Sequence, residues 1–391
     1  MTSMRFLHTS DWHLGRTFHG VDVLDIQARA MDEIVEWVAE HRVDAVLVSG
    51  DVYDRAQPRT EVVELLNSTL AKIRRAGAYV VMTSGNHDSA ARLGFGAEIM
   101  AHGGVFLRTR LDQADRPVIF SRSESGVRAT DTALSGGTEH AGEHGAAGRS
   151  GADEAVAVYG IPYLEPRSVA PHLECSATHQ SVLGTVARTT AEDLARREGT
   201  RGMVMAHAFV TGAAATESER VIDSGGLGTV SADVFESHEY AALGHIHRRQ
   251  TLRDGVRYSG SPVAYSFSET GQTKGAWLVE FTEEGGPEVR TSITGRVCTW
   301  PNCAAIWRIC SENLNTLRQN PRGARWCSRT PSAPPRPWTG FAPGFPRPWN
   351  CAGNRTGAVH NSSSATAHVS ERPRALSHCV LRSSTTFDSG P

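Results

Sequence analysis

Residues 44–54 read Asp-Ala-Val-Leu-Val-Ser-Gly-Asp-Val-Tyr-Asp. Ala45–Val48 is a short apolar, β-branched run of the kind that fills a buried parallel strand. It stops at Ser49-Gly50 and places a carboxylate, Asp51, immediately beyond. An acid at the carboxyl end of a buried strand is where open α/β sheets put their chemistry. One such Asp is a weak signal. Its force comes from other strands in the chain that end in the same way.

Upstream, Met4–Thr9 reads as a first strand and runs into Ser10-Asp11-Trp12-His13. Asp-x-His on a strand-end loop lets a carboxylate and an imidazole converge on one cation, although the same tripeptide also suits a polar turn. Val21–His41 reads as a helix with Ile26, Ala30, Ile34, Val35 and Val38 on one face. Downstream, a second helix opens at Pro58 or Arg59 and runs to Ala76, with Val62, Leu66, Leu70 and Ile73 as its stripe. Gly77 stands where a C-cap glycine is expected. Ala78–Thr83 is the next strand and delivers Gly85-Asn86-His87-Asp88. This β-α-β-α-β order predicts a parallel sheet covered by helices.

The device recurs in the second half. Order resumes at Val156–Tyr163, and Thr189 with Glu192 resembles a capping box opening a short helix. Arg201–His207 is an apolar strand ending in His207, and Tyr240–His247 ends in Gly-His-Ile-His. Residues 256–282 look like antiparallel strands around a Gly-Ser-Pro turn at 260–262.

Strand ends thus supply Asp11, His13, Asp51, Asn86, His87, His207, His245 and His247. A single histidine after a strand is usually structural; this many convergent ligand types point to a metal site. Imidazole, carboxylate and amide without thiolate suit Mn²⁺, Fe or Zn²⁺. The set is too large for one ion. Two ions roughly 3.5–4 Å apart, clamping both oxygens of an in-line displacement, are the arrangement of phosphatases and nucleases. Asp51 is the natural anionic bridge.

Asp11-x-His13, Gly50-Asp51, Gly85-Asn86-His87-Asp88, His207 and Gly244-His245-x-His247 resemble, in order and spacing, the five motifs of the calcineurin-like metallophosphoesterases. The resemblance implies a four-layer α/β sandwich of two mixed sheets flanked by helices. It implies that Asp11, His13, Asp51 and His247 hold one divalent ion and that Asp51, Asn86, His207 and His245 hold the other. His87 takes the place of the family's catalytic histidine, and Asp54 that of a group kept near it. Ala206 stands before His207 where many relatives have Gly.

Within that superfamily, Thr9–Arg16, Ser218-Glu219-Arg220, Ala242–Arg248 and Tyr258–Pro262 running to Ser266-Phe267-Ser268-Glu269 are similar to the DNA-repair nucleases of the SbcD family. Protein phosphatases typically end the third motif in Glu, where this chain has Asp88. The resemblance covers about residues 4–295. It implies a Mn²⁺-dependent double-strand exonuclease and single-strand endonuclease, working in a heterotetramer with an SbcC-type ATPase. A phosphatase or small-nucleotide phosphodiesterase of the same superfamily is the alternative, and a catalytically uncoupled repair scaffold a third reading.

Composition changes abruptly near Arg296. Residues 296–391 hold 12 Arg, no Lys and three acids, a net +9, which leaves −11 for residues 1–295. Six of seven Cys, 11 of 18 Pro and five of eight Trp also lie in this tail. Back-translated with plausible codons and shifted by two bases, Trp300–Ser311 can read as an amphipathic helix. Arg336–Asn350 becomes protein-like in the same frame. A frameshift is the favoured reading. A natural disordered tail and a zinc site are the alternatives, and the lack of any Cys-x₂-Cys weighs against zinc. Cys175, the one cysteine before the tail, suits a reducing compartment. No stretch is apolar and long enough to cross a membrane and no signal-peptide pattern opens the chain, so a soluble cytoplasmic protein is expected. The expected layout is a nuclease domain over 1–255, with 121–155 as a flexible surface insertion. The final strands and the start of an incomplete capping domain follow over 256–295, and the aberrant tail over 296–391.

Overall fold

A computed structural model describes residues 3–18, 20–123, 126–134, 154–216, 228–269, 271–282 and 286–294. In chain order the first half gives β1 (Met4–Thr9), β2 (Thr17–Phe18), β3 (Val21–Asp22), α1 (Leu24–His41), β4 (Ala45–Ser49), α2 (Thr60–Arg75), β5 (Tyr79–Thr83), α3 (Ala90–Leu93), α4 (Ala97–His102) and β6 (Val105–Arg108). Then come β7 (Val118–Ser123), β8 (Gly126–Asp131), β9 (Ala155–Gly160), α5 (Pro166–Leu173), α6 (His179–Ala195), β10 (Thr200–His207) and β11 (Tyr240–Gly244). The last strands are β12 (Gln250–Arg253), β13 (Val256–Tyr258), β14 (Gly275–Phe281) and β15 (Glu288–Thr294).

The strands build two mixed sheets, ordered β15-β14-β1-β4-β5-β6 and β12-β13-β11-β10-β9-β7-β8. β1, β4, β5 and β6 run parallel, as do β9, β10, β11 and β13. Because successive side chains of a strand face opposite ways, each central strand feeds two cores. Met4, Phe6, Ala45, Leu47 and Val81 of the first sheet meet Phe120, Val156, Val158, Met203 and Met205 of the second. Leu7, Val46, Val48 and Val80 turn the other way, onto Ile34, Val38, Leu66, Leu70 and Ile73 of α1 and α2. Tyr159, Val204 and Leu243 do the same toward Val182, Leu183 and Val186 of α6. The result is the four-layer α/β sandwich that the resemblance implied. Phe6 joins the sheets through an edge-to-face contact with Phe120 of β7, centroids 5.4 Å apart, and packs the same way on Phe281 of its own sheet at 5.7 Å. Such pairs add about 0.5–1.5 kcal/mol each beyond area burial.

Four expectations are corrected. α1 starts at Leu24 rather than Val21, because Val21–Asp22 pairs with Thr17–Phe18 and the Asp22 carboxylate accepts the Leu24 amide at 2.9 Å. Thr189 caps nothing: it lies inside α6, whose N-cap is Thr178, with its side-chain oxygen accepting from the Ser181 amide at 3.1 Å. The stretch 121–155 is not all insertion. β7 and β8 form a hairpin on the edge of the second sheet, and Asp131 receives a two-pronged ion pair from buried Arg108 of β6 at 2.5 and 3.2 Å. Residues 135–153 lie outside the described residues. The strands of 256–282 are antiparallel as expected but lie in different sheets: β13 pairs antiparallel with β12 and extends the second sheet beside β11, and β14 pairs antiparallel with β1 and β15 in the first. Residues 256–281 therefore belong to the sandwich itself. The whole 296–391 tail and Ser218-Glu219-Arg220 lie outside the described residues.

Candidate active site

β1, β4, β5, β10 and β11 end along one edge of the sandwich, and the chain turns sharply at each end. Asp11, His13, Asp51 and His245 have φ of 53, 42, 49 and 104°, in the left-handed region that side chains avoid. Such strain persists only where surroundings over-determine it, and it concentrates at functional sites. Backbone bonds Asp11 N–H to Gly50 O at 3.1 Å and His13 N–H to Asp51 O at 2.9 Å lock the first two loops together. Gly85 and Gly244 are required by close approach. A Cβ at Gly85 would strike Asp51, and one at Gly244 would strike the Ser49 carbonyl.

All seven expected ligands converge. His13 Nε2 lies 3.0 Å from His247 Nε2 and 3.4 Å from Asp51 Oδ2. On the other side of Asp51, His207 Nε2 is 3.3 Å from the same Oδ2 and 3.0 Å from Asn86 Oδ1, which is 3.2 Å from His245 Nδ1. Asp11 joins the first group with His13 and His247, and also the second with Asp51 and His207. Its carboxylate accepts the His245 amide at 3.0 Å and the Ser10 hydroxyl at 2.5 Å. Apart from Asn86, these side chains are buried.

Electrostatics support a cation. Burial raises the Asp11 carboxyl. Burial also opposes charge on Asp51, yet His207 and His13 beside it hold Asp51 well below the usual carboxylate range. Burial opposes charge on His207 as well, but Asp51 pulls its pKa up to about 9. Burial instead pushes His245 down to about 3. A dry cluster of carboxylates and facing imidazole lone pairs is held together only by protons or cations. The donor set therefore fits divalent metal, with mixed nitrogen and oxygen ligands.

His87 and Asp54 sit beside this cluster. His87 donates from its backbone N–H to Asp51 Oδ1 at 2.9 Å, while its Nδ1–H reaches the Asp54 carbonyl at 2.9 Å. The Asp54 carboxylate lies 3.7 Å from His13 Nδ1, 3.8 Å from Arg16 and 4.0 Å from His87 Nδ1.

Several supporting residues escaped the sequence reading. Asp88, quoted only as part of a motif, accepts the amides of Gly85, Val52 and Tyr53 at 2.8–3.0 Å, fastening the β5 loop to the β4 loop. Burial, with Asp51 close by, pushes its carboxyl up to about 7. Gln27 is fully buried on α1, where it donates to the His13 carbonyl at 2.8 Å and accepts the Gly15 amide at 2.9 Å. A polar residue on an apolar helix face was the available signal. Glu269 faces His247 from 22 positions further along the chain, and no local spacing announces such a pair.

What the sandwich and its strand-end ligands define is a metallohydrolase. More narrowly, a model of the calcineurin-like phosphoesterase family matches residues 4–249, and the chain belongs to that family. It is thus a metal-dependent hydrolase of the phosphatase and phosphodiesterase class, whose members use a dinuclear divalent-metal site. Among solved structures, the chain is similar to GAP50, the anchor in the inner membrane complex of Plasmodium, at 11% identity, 76% of this chain and 88% of that one, TM-score 0.43. It is also similar to a dimetal phosphatase from Danio rerio, at 14% identity, 75% and 98% coverage, TM-score 0.39. The calcineurin-like phosphoesterase YfkN from Bacillus subtilis gives 11% identity, 75% and 89% coverage, TM-score 0.40.

Proposed function

We propose that the protein is a DNA nuclease subunit of the SbcD type, a Mn²⁺-dependent double-strand 3′–5′ exonuclease and single-strand endonuclease acting with an SbcC-type ATPase in the cytoplasm. One observation carries the reading. The stretches that resemble the nucleases, Thr9–Arg16, Ala242–Arg248 and Tyr258–Glu269, are knitted into one frame around the ligands. Ser10 Oγ meets Ser259 Oγ at 2.7 Å, the Ser261 amide donates to the His247 carbonyl at 3.2 Å, and the Tyr265 hydroxyl donates to the Trp12 carbonyl. The Tyr265 ring packs edge-on against His13, centroids 5.5 Å apart. These segments support the site as a unit, so the stretches that carry the nuclease resemblance are the ones that frame the proposed ligands.

In this reading Asp11, His13, Asp51 and His247 hold one ion, and Asp51, Asn86, His207 and His245 the other. The ions would polarise the phosphodiester and supply an activated water at neutral pH. The chain's own residues do the rest. The Asp54 carbonyl fixes His87 by its Nδ1–H, which leaves Nε2 free to take up a proton and, as the imidazolium, to give it to the leaving oxygen, returning to the neutral Nδ1–H form. Arg16, reaching across the Tyr265 ring at 5.2 Å, adds positive charge at the rim. The net −11 of residues 1–295 is unfavourable for gripping a polyanion. Bound divalent ions offset it locally, and the partner ATPase would supply the remaining grip.

The test is hydrolysis of labelled duplex and single-stranded DNA by the purified chain with Mn²⁺, beside a chromogenic phosphomonoester. Cleavage of DNA that EDTA abolishes is expected. Phosphomonoester turnover without DNA cleavage would transfer the assignment to the phosphatase alternative.

A further inference from the structure

Glu269 and Lys274 are 1% and 3% exposed, an ion pair almost sealed from solvent. Burying two charges is costly unless each is fully matched. The connector from β13 to β14 could be closed by apolar side chains at no such cost. The matching groups show what the pair holds. Lys274 Nζ donates to the His247 carbonyl at 2.8 Å and to Ser261 Oγ at 3.0 Å. It also reaches Glu269 Oε2 at 2.5 Å and Gln272 Oε1 at 3.3 Å. Glu269 Oε1 accepts from Ser266 Oγ at 3.2 Å and stands 3.4 Å from His247 Nδ1. One histidine is therefore gripped twice, by its ring through Glu269 and by its backbone through Lys274. An Nδ1–H directed at Glu269 leaves Nε2 as the lone-pair nitrogen, and Nε2 is the atom facing His13 at 3.0 Å. His207 is treated differently, its far nitrogen meeting a neutral carbonyl, that of Ser49, at 3.0 Å.

We infer that Glu269 and Lys274 are positioning residues that fix the tautomer and place of His247, and so set the affinity of the ion it shares with Asp11 and His13 apart from the ion at Asn86, His207 and His245. The inference rests on the two-ion reading above. A carboxylate behind a ligating imidazole raises its basicity and removes its rotational freedom, and loss of such a partner typically weakens metal binding about 10–100-fold. The pair lies beyond residue 249, where the family match ends, so a segment outside the five metallophosphoesterase motifs tunes one half of the site.

The experiment is equilibrium dialysis of the full chain against graded free Mn²⁺, with bound ions counted by elemental analysis. Glu269→Gln keeps an acceptor oxygen and removes the charge. Glu269→Leu with Lys274→Met removes both charges, so no lone buried charge threatens folding. Wild type is expected to bind two ions. The double variant should need about 10–100-fold more free Mn²⁺ for one ion and an unchanged amount for the other, with Glu269→Gln intermediate. Retention of both ions at wild-type affinity by the double variant overturns the inference. Equal weakening of both ions does so too, since it marks a purely structural role. A wild-type chain that takes up no ion would instead overturn the two-ion reading on which the inference stands.

Discussion

At the scale of single residues, Asp51 and His87 occupy the same loop system and do different work. Asp51 Oδ2 lies between His13 and His207, at 3.4 and 3.3 Å, and so faces both ligand groups. His87 meets the cluster through its backbone bond to Asp51 Oδ1 and through its ring, edge-on to His13 with centroids 4.7 Å apart, and belongs to neither of the two proposed ligand groups. Asp51→Ala is therefore expected to lower bound metal below two ions per chain and to abolish hydrolysis. His87→Gln should keep both ions and lose about 10²-fold or more in turnover, the usual scale for general acid–base help. Metal analysis of the purified variants separates the two cases, and two ions retained in Asp51→Ala would remove the bridging role. The ligand chemistry also ranks the ions. Imidazole-rich sites favour the softer cation, whereas Mg²⁺ prefers oxygen ligands and keeps its waters. After EDTA, Mn²⁺ is expected to restore more activity than Mg²⁺ at equal concentration. Equal rescue would argue against ligation by His13, His207, His245 and His247.

At the scale of elements, packing against α6 has a pH signature. His238, just ahead of β11, sits against α6, its Nε2 3.2 Å from the Thr190 hydroxyl and its ring edge-on to Tyr159. Burial pushes its pKa down to about 4. The unfolded chain takes up this proton near 6.5 and the folded chain does not until about 4. The associated stability is therefore complete above 6.5 and is lost as pH falls through that window. Urea unfolding from pH 7 to 4 should show His238→Gln losing less stability than wild type, by up to about 3 kcal/mol; parallel curves would exclude the effect. His8, pushed down to about 3 by burial, contributes with the same sign in both proteins. Elements of this kind also show what a sequence can display. The strands were legible because Ala45–Val48 and Met203–Ala206 are apolar runs with abrupt polar ends, and the site was legible because its ligands follow those ends directly. β8 was missed because an edge strand with one face toward solvent, Gly126–Asp131, has no apolar run to display. What locks it is Arg108, a long-range partner. The start of α6 was missed because its cap, Thr178, opens a helix whose first turn, His179–Gln180–Ser181, carries no apolar period.

At the scale of the whole molecule, the catalytic frame closes before residue 296. The last proposed ligand is His247, its inferred braces are Glu269 and Lys274, and β14 and β15 complete the first sheet beside β1. Among the described residues no helix is long and apolar enough to cross a membrane. The abrupt change near Arg296, from a net −11 to a net +9 with no Lys, falls where the proposed nuclease would need surfaces for its ATPase. A docking helix requires an apolar stripe at i, i+3, i+4 and i+7. Pro331–Pro348 carries seven prolines in that span, and its sequence supplies no such stripe. The frameshift reading therefore separates catalysis from coupling. The chain as written should bind metal and cleave a short single strand, yet neither co-purify with an SbcC-type ATPase nor respond to ATP. A version with the frame restored after codon 295 should do both. Co-expression of each version with the ATPase, followed by nuclease assays with and without ATP, decides between them. Tight, ATP-stimulated assembly by the chain as written would sink the frameshift and make the arginine- and proline-rich tail a true interaction module. Failure of both versions to assemble would remove the SbcC partnership while leaving the metallohydrolase site untouched.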